Sequence, residues 1–243
     1  MKFPIKVYLC GSEGNGWALD ADLATTRQAL LALPELVELT SLRRADVVYT
    51  VWEYPILHMD PKKLEGKKIL CQVCNDLMRI YEDPCMIRAA EMFGLWIPMT
   101  RECITDVEAL GYRHRYIPYA VDTTVFTPCL PENQTVDHLR RHYGLPESSF
   151  VISNFMRDSS AQDLLMPKAQ KGTELLLEIG RQLVERKLPV HFLFAGPRRH
   201  WIKNRMKSLG IPFTFIGQET ESDDNDVNIL PPDVVNLLYH ISD

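Results

Sequence analysis

No apolar run in this 243-residue chain approaches the roughly 20 residues needed to cross a bilayer. Met1-Lys2-Phe3-Pro4-Ile5 turns directly into a strand-like segment where a signal peptide would begin its apolar core, so a cytoplasmic chain without a transmembrane segment is expected. Dense blocks of Lys and Arg are also missing. With 27 basic and 32 acidic residues the formal charge is -5, which removes general attraction to nucleic acid or to an acidic membrane. The local clusters Arg140-Arg141-His142 and Arg198-Arg199-His200 read as solvated faces. The chain has no GxGxxG, no GxxxxGK[ST] and no GxSxG, so dinucleotide, P-loop and serine-hydrolase readings lose their usual support. Its seven histidines are dispersed, without metal or triad spacing. Cys71-Gln72-Val73-Cys74 has the spacing of a redox or zinc half-site, yet no second pair completes four ligands. The six cysteines therefore read as reduced, mostly apolar thiols, with no metal and no resident cofactor expected.

What is present is an alternation of short apolar runs with amphipathic segments of helix length, the pattern of parallel sheets covered by crossover helices. Strands are expected at 5–10, 36–39, 46–52, 67–74 and 95–99, then at 149–155, 190–194 and 213–216. Helices are expected at 17–33, where Pro34 stops the run, and at 83–93, 102–110, 136–143, 172–187, 199–209 and 232–239. In the 172–187 segment Leu175, Leu176, Ile179, Leu183 and Val184 form the stripe that would lie on a sheet. The near-continuous apolar run 190–194 suits a buried central strand. The 219–226 segment, with five acidic residues, reads as an exposed loop.

Three places could carry chemistry. Gly11-Ser12-Glu13-Gly14-Asn15-Gly16 lies between the first strand and the first helix, where backbone amides and the positive helix end can face an anion or a sugar hydroxyl. A plain tight turn through Gly11, Gly14 and Gly16 is the competing reading. Arg157 lies just past a strand, and Lys171-Gly172 opens the next helix after a polar loop. Fixed positive charge there would stabilise a departing diphosphate without a metal, although each cation taken alone also reads as solvent-facing. Gly196-Pro197 follows the apolar strand at the carboxyl edge of its sheet, where open α/β sheets bind ligands; a structural turn explains it equally.

The run Tyr116-Ile117-Pro118-Tyr119-Ala120-Val121-Asp122-Thr123-Thr124-Val125-Phe126-Thr127-Pro128 divides two segments that each begin as an α/β unit. It resembles the "IPNGVD-x-x-x-F-x-P" signature of retaining GT-B glycosyltransferases, the large family four in particular, with Tyr119 and Ala120 in place of Asn and Gly. Upstream, Pro98-Met99-Thr100-Arg101-Glu102 to Gly111 is similar to that family's strand and helix, Thr100 standing for the usual Ser. Downstream, Asn154-Phe155-Met156-Arg157 and Gln170-Lys171-Gly172 are similar to its "GR…KG" motif, with Met156 in place of the glycine, and 191–197 resembles the following "G-x-G-P" strand and turn. The match extends over most of the chain.

The resemblance implies two Rossmann-like domains with mostly parallel sheets, 1–128 on the acceptor side and 129–243 on the donor side. It implies a nucleotide-sugar as co-substrate, an acceptor of unspecified class, and metal-independent transfer with retention. Arg157 and Lys171 would neutralise the donor diphosphate, Gly11, Gly14 and Gly16 would border acceptor and phosphates, and Ile216-Gly217-Gln218 would lie near the base. No side chain is singled out as the catalytic group. Two departures stand out. The His that the family commonly carries in the segment matching Gln72-Val73-Cys74-Asn75-Asp76 is missing, and the family's Glu-x7-Glu segment would fall beyond Asp243. The expectation is thus a truncated or incomplete second domain, whose open sheet edge another chain would cover. The alternatives are a non-catalytic binding or assembly module on the same scaffold, and an ordinary Rossmann oxidoreductase, which the absent fingerprint weakens.

Overall fold

A computed structural model of the protein describes residues 3–14, 16, 18–73, 84–132, 134–160 and 162–243, without the side chains of 85, 86, 88 and 89. The chain is α/β and divides into two compact units, Met1–Val121 and Asp122–Asp243. The division falls inside the run 116–128, between Val121 and Asp122. Phe126 and Thr127 belong to the second unit because Phe126 packs edge-on against Tyr239 and the Thr127 carbonyl accepts from His240 Nε2 at 2.9 Å.

The first unit is a five-stranded parallel sheet in the order β2-β1-β3-β4-β5, built from β1 (Ile5–Cys10), β2 (Val37–Leu39), β3 (Val47–Thr50), β4 (Lys68–Val73) and β5 (Leu95–Pro98). One face buries Val48, Ile69, Cys71 and Trp96 against α2 (Tyr54–Leu57), α3 (Pro61–Leu64), α4 (Pro84–Met92) and α5 (Arg101–Ala109). The four-residue helices α2 and α3 escape sequence reading because one helical turn shows no 3.6-residue period. Thr100 caps α5 by accepting from the Cys103 amide at 3.3 Å. The chain then runs along the outer edge of β5, where the Trp96 amide donates to Arg113 and the Arg115 amide to Trp96. On the other face lies α1 (Ala18–Leu31), expected as a packed amphipathic helix but with no buried residue. Trp17, Cys74, Asn75, Asp76 and Asp83, which the sequence reading placed in helices, strands or motifs, lie outside the described residues.

The second unit has a three-stranded parallel sheet, β6 (Phe150–Asn154), β7 (Val190–Ala195) and β8 (Phe213–Ile216), in the order β6-β7-β8. Central β7 is buried throughout, and its alternating side chains separate two cores. Phe192 and Phe194 meet α7 (Thr173–Glu185) and α8 (His200–Ser208), while Leu193 and Ala195 meet α6 (Val136–His142) and α9 (Pro232–His240). Burial of each large apolar side chain contributes about 1.5–3 kcal/mol, so this strand anchors the unit. After β8 the chain crosses through α9 to the outer edge of β6, where the Asp243 amide donates to Val151 and the Val151 amide to Asp243 Oδ2.

Three expectations change. The buried stripe of α7 runs through Leu176, Leu177, Gly180, Leu183 and Val184, leaving Leu175 and Ile179 exposed. The shift follows from Gly180, where a Cβ would lie 3.2 Å from the Phe192 ring, so helix and sheet meet along the glycine. Arg198, Arg199 and His200 are buried rather than solvated, and Asp224 within the acidic loop is buried with them. No described helix is long and apolar enough to cross a membrane.

His191 on β7 is buried, with Nε2 2.9 Å from Thr214 Oγ1, and burial holds its imidazole below the ordinary 6.5. The unfolded chain takes the proton first on acidification, so the stability carried by neutral His191 is present above 6.5 and is lost as pH falls through the lowered value. The urea midpoint of the wild type should therefore drop between about pH 7.5 and about pH 5.5 by more than that of His191→Gln. Parallel curves for the two proteins would refute this.

Candidate functional site

In the first unit the glycine loop is closed on itself. Asp20, in the first turn of α1, accepts from the Glu13 amide at 2.9 Å, the Gly14 amide at 3.2 Å and the Ser12 hydroxyl at 2.6 Å through Oδ1, and from the Gly16 amide at 2.8 Å through Oδ2. The amides expected to meet a phosphate or sugar thus surround an internal carboxylate. Asn15 lies outside the described residues. Gly11 has a packing reason of its own: its φ is +125°, and a Cβ there would lie 2.4 Å from Val51 Cγ2. A groove of about 280 Å³ between α1 and the sheet has Asp22, Thr26, Tyr49, Gln72 and Met99 in its lining. Burial pushes the Tyr49 hydroxyl up to about 12 despite its hydrogen bond with Gln72, and raises the Asp22 carboxyl.

In the second unit, Arg157, Gly196 and Gly217 follow the carboxyl ends of β6, β7 and β8. Arg157 follows β6 by three positions and is half-buried. Lys171 is exposed and ends a short 3-10 turn, Ala169–Lys171; Gly172 then adopts φ +64° and starts α7 with no side-chain cap on its first amides. These helix-end N–H groups carry the positive pole of α7. The loop between Arg157 and Lys171 is tied at its neck: the Lys168 amide donates to the Asp158 carbonyl at 2.6 Å, the Ser160 amide to the Met166 carbonyl at 3.0 Å, and Ser159 bridges Pro167. At Gly196 a Cβ would lie 3.5 Å from the Phe155 carbonyl, and Pro197 follows it. Ile216 ends β8, and Gly217 and Gln218 lead into the acidic loop. Asn228 holds that exit, accepting from the Gln218 amide at 2.7 Å and donating to its carbonyl at 2.9 Å. Asn154 to Arg157 lie at the carboxyl end of β6, and open α/β sheets bind ligands at the carboxyl ends of their strands.

Sequence reading missed the buried framework beneath this edge. Arg199 is fully buried; its Nη2 donates to the Asn154 carbonyl at 2.9 Å and to Asn154 Oδ1 at 2.8 Å, and its Nε lies 3.3 Å from Asp158 Oδ2. Asp158 Oδ1 accepts from the Ile202 amide at 3.1 Å, and Ser159 Oγ from the Trp201 amide at 2.9 Å, so the loop after β6 caps α8. The acidic loop folds onto the same corner: Asp223 pairs with Arg198 at 2.6 Å, Glu219 with Lys203 at 2.6 Å, and Asp224 accepts from the Arg198 amide at 2.7 Å. The signal available in the sequence was the match between three basic residues after β7 and five acidic residues after β8. Among the described residues no group of three or more His, Cys, Asp or Glu side chains is placed to hold a metal ion.

No protein-family model and no curated protein matches the chain. Among solved structures it is similar to a glycosyltransferase from Rickettsia africae ESF-5, with a TM-score of 0.56 and 13% identity over 100% of this chain and 72% of that one. The fold is therefore glycosyltransferase-like, an α/β arrangement of Rossmann-like units.

The different environments of the loop glycines give a test. Gly11→Ala should destabilise the protein by about 2–3 kcal/mol through the Val51 clash and the unfavourable φ. Gly14→Ala, at φ +70° with nothing within 4 Å of the added Cβ, should cost about 1 kcal/mol. Equal losses in chemical denaturation would show that the contact with Val51 contributes nothing.

Proposed function

We propose that the protein is a glycosyltransferase of the GT-B type, in which the second unit binds the diphosphate of a nucleotide-sugar donor and the first unit serves the acceptor. The observation that supports this reading is the tie between Asp158 and Lys168, which closes the loop leading from Arg157 at the end of β6 to Lys171 and the uncapped start of α7. The glycosyltransferase-like fold supports it at the level of architecture.

The chemistry follows from charge. When the bond between the sugar's anomeric carbon and the phosphate oxygen breaks, the electron pair stays on the diphosphate, and an acceptor oxygen replaces it on the sugar with loss of its proton. Arg157, Lys171 and the α7 amides would stabilise the charge that accumulates on the leaving group. That supply of fixed positive charge is the basis for proposing metal-independent transfer; retention of configuration is proposed from the sequence resemblance. Gly196-Pro197 is the proposed turn beside the phosphates, and Ile216-Gly217-Gln218 is the proposed base edge.

A second reading, a non-catalytic module on the same scaffold, is favoured by one feature: the Gly11–Gly16 amides are already turned onto Asp20. Binding and turnover separate the two. The wild type should bind at least one of UDP-, GDP- and ADP-sugars, and Arg157→Ala/Lys171→Ala should weaken that binding by about 100-fold or more, as expected for two charge-assisted contacts. Equal affinity in wild type and double variant would remove the phosphate role. Donor binding without sugar release in the presence of a broad acceptor panel would favour the module.

A further inference from the structure

We propose that Arg199 is a positioning residue for the diphosphate site, acting through Asn154 to fix the turn that presents Arg157. The inference rests on the glycosyltransferase reading above and adds a residue to it. Arg199 comes from the turn after β7, yet its Nη2 reaches both oxygens of Asn154, the last residue of β6. Asn154 Oδ1 also accepts the Met156 amide at 3.2 Å. One side-chain oxygen thus joins the buried guanidinium to the residue before Arg157. On the other side, Arg199 Nε faces the carboxylate of Asp158, the residue after Arg157. Arg157 is therefore bracketed by two residues held from a single guanidinium.

The chemistry of Arg199 suits this task better than it suits the core. A cation with no exposed surface has a large desolvation cost, and neither the Phe194 ring 4.9 Å from Cζ nor the single carboxylate beside it matches what an apolar side chain would contribute there. What a guanidinium offers instead is a rigid planar fork with several donors at fixed angles. Here Nη2 bonds the strand end while Nε faces the carboxylate of the loop that follows it. Lysine, with a point charge on a flexible stem, cannot hold the same oxygens in the same plane.

Binding of inorganic pyrophosphate and of UDP, measured by calorimetry, tests the proposal in wild type, Arg157→Ala, Asn154→Ala, Asn154→Ala/Arg157→Ala and Arg199→Lys, with thermal unfolding of each. Asn154→Ala leaves the Arg199–Asp158 pair and the apolar core in place. It should weaken pyrophosphate about tenfold in the wild-type background and by less than about twofold once Arg157 is gone, because its effect passes through Arg157. Arg199→Lys should lose about as much as Asn154→Ala; should it fail to fold, the Asn154 cycle decides. Unchanged pyrophosphate affinity in Asn154→Ala, or losses that add in the double variant, would overturn the positioning role while leaving the diphosphate site intact. Failure of the wild type to bind either ligand would overturn the diphosphate reading and this role with it.

Discussion

The second unit depends on the buried contact between Asp158 and Arg199. Burial raises the Asp158 carboxyl above its ordinary range and lowers Arg199 to about 10, in each case outweighing the partner's charge. Desolvation, not attraction, is the larger effect, so the pair is a weak source of net stability. Its importance is geometric. Asp158 and its neighbour Ser159 supply the cap that α8 lacks locally, and the Asp158 carbonyl closes the neck of the loop that ends at Lys171. Loss of either ionic partner alone would strand the other charge in the core at a cost of about 3–5 kcal/mol. A contact that contributes little while intact can therefore be indispensable once the structure has been built around it.

The same pair explains why part of the site was not legible in the sequence. Local pattern gave the strands and most helices to within a few residues, since 3.6- and 2-residue periods are properties of contiguous segments. It also put Arg157 and Gly196 just past strands and Lys171 at the start of a helix. Arg199 could not be found in this way, because its partners at Asn154 and Asp158 are more than forty positions away and a run of Arg-Arg-His ordinarily belongs to solvent. The α7 stripe failed for a related reason. Periodicity ranked Leu175 and Ile179 as core, but Gly180 lets the sheet approach nearest to a residue without a side chain, rotating the buried face away from both. Tertiary approach decided which of two similar stripes was used.

The connections from β1 to α1 and from β6 to α7 are electrostatically different. After β1 the amides close on the Asp20 carboxylate, so an incoming anion would have to displace a covalently tethered one of the same sign. Gly11 further packs against Val51 at the reversal of strand order between β1 and β3, which brings the two strand ends together there. After β6 the corresponding helix has no side-chain cap, and Lys171 stands exposed at its entrance without an ion pair among the described residues. Arg198 and Lys203 nearby are already neutralised by Asp223 and Glu219. Those carboxylates set Arg198 and Lys203 apart from the exposed Lys171.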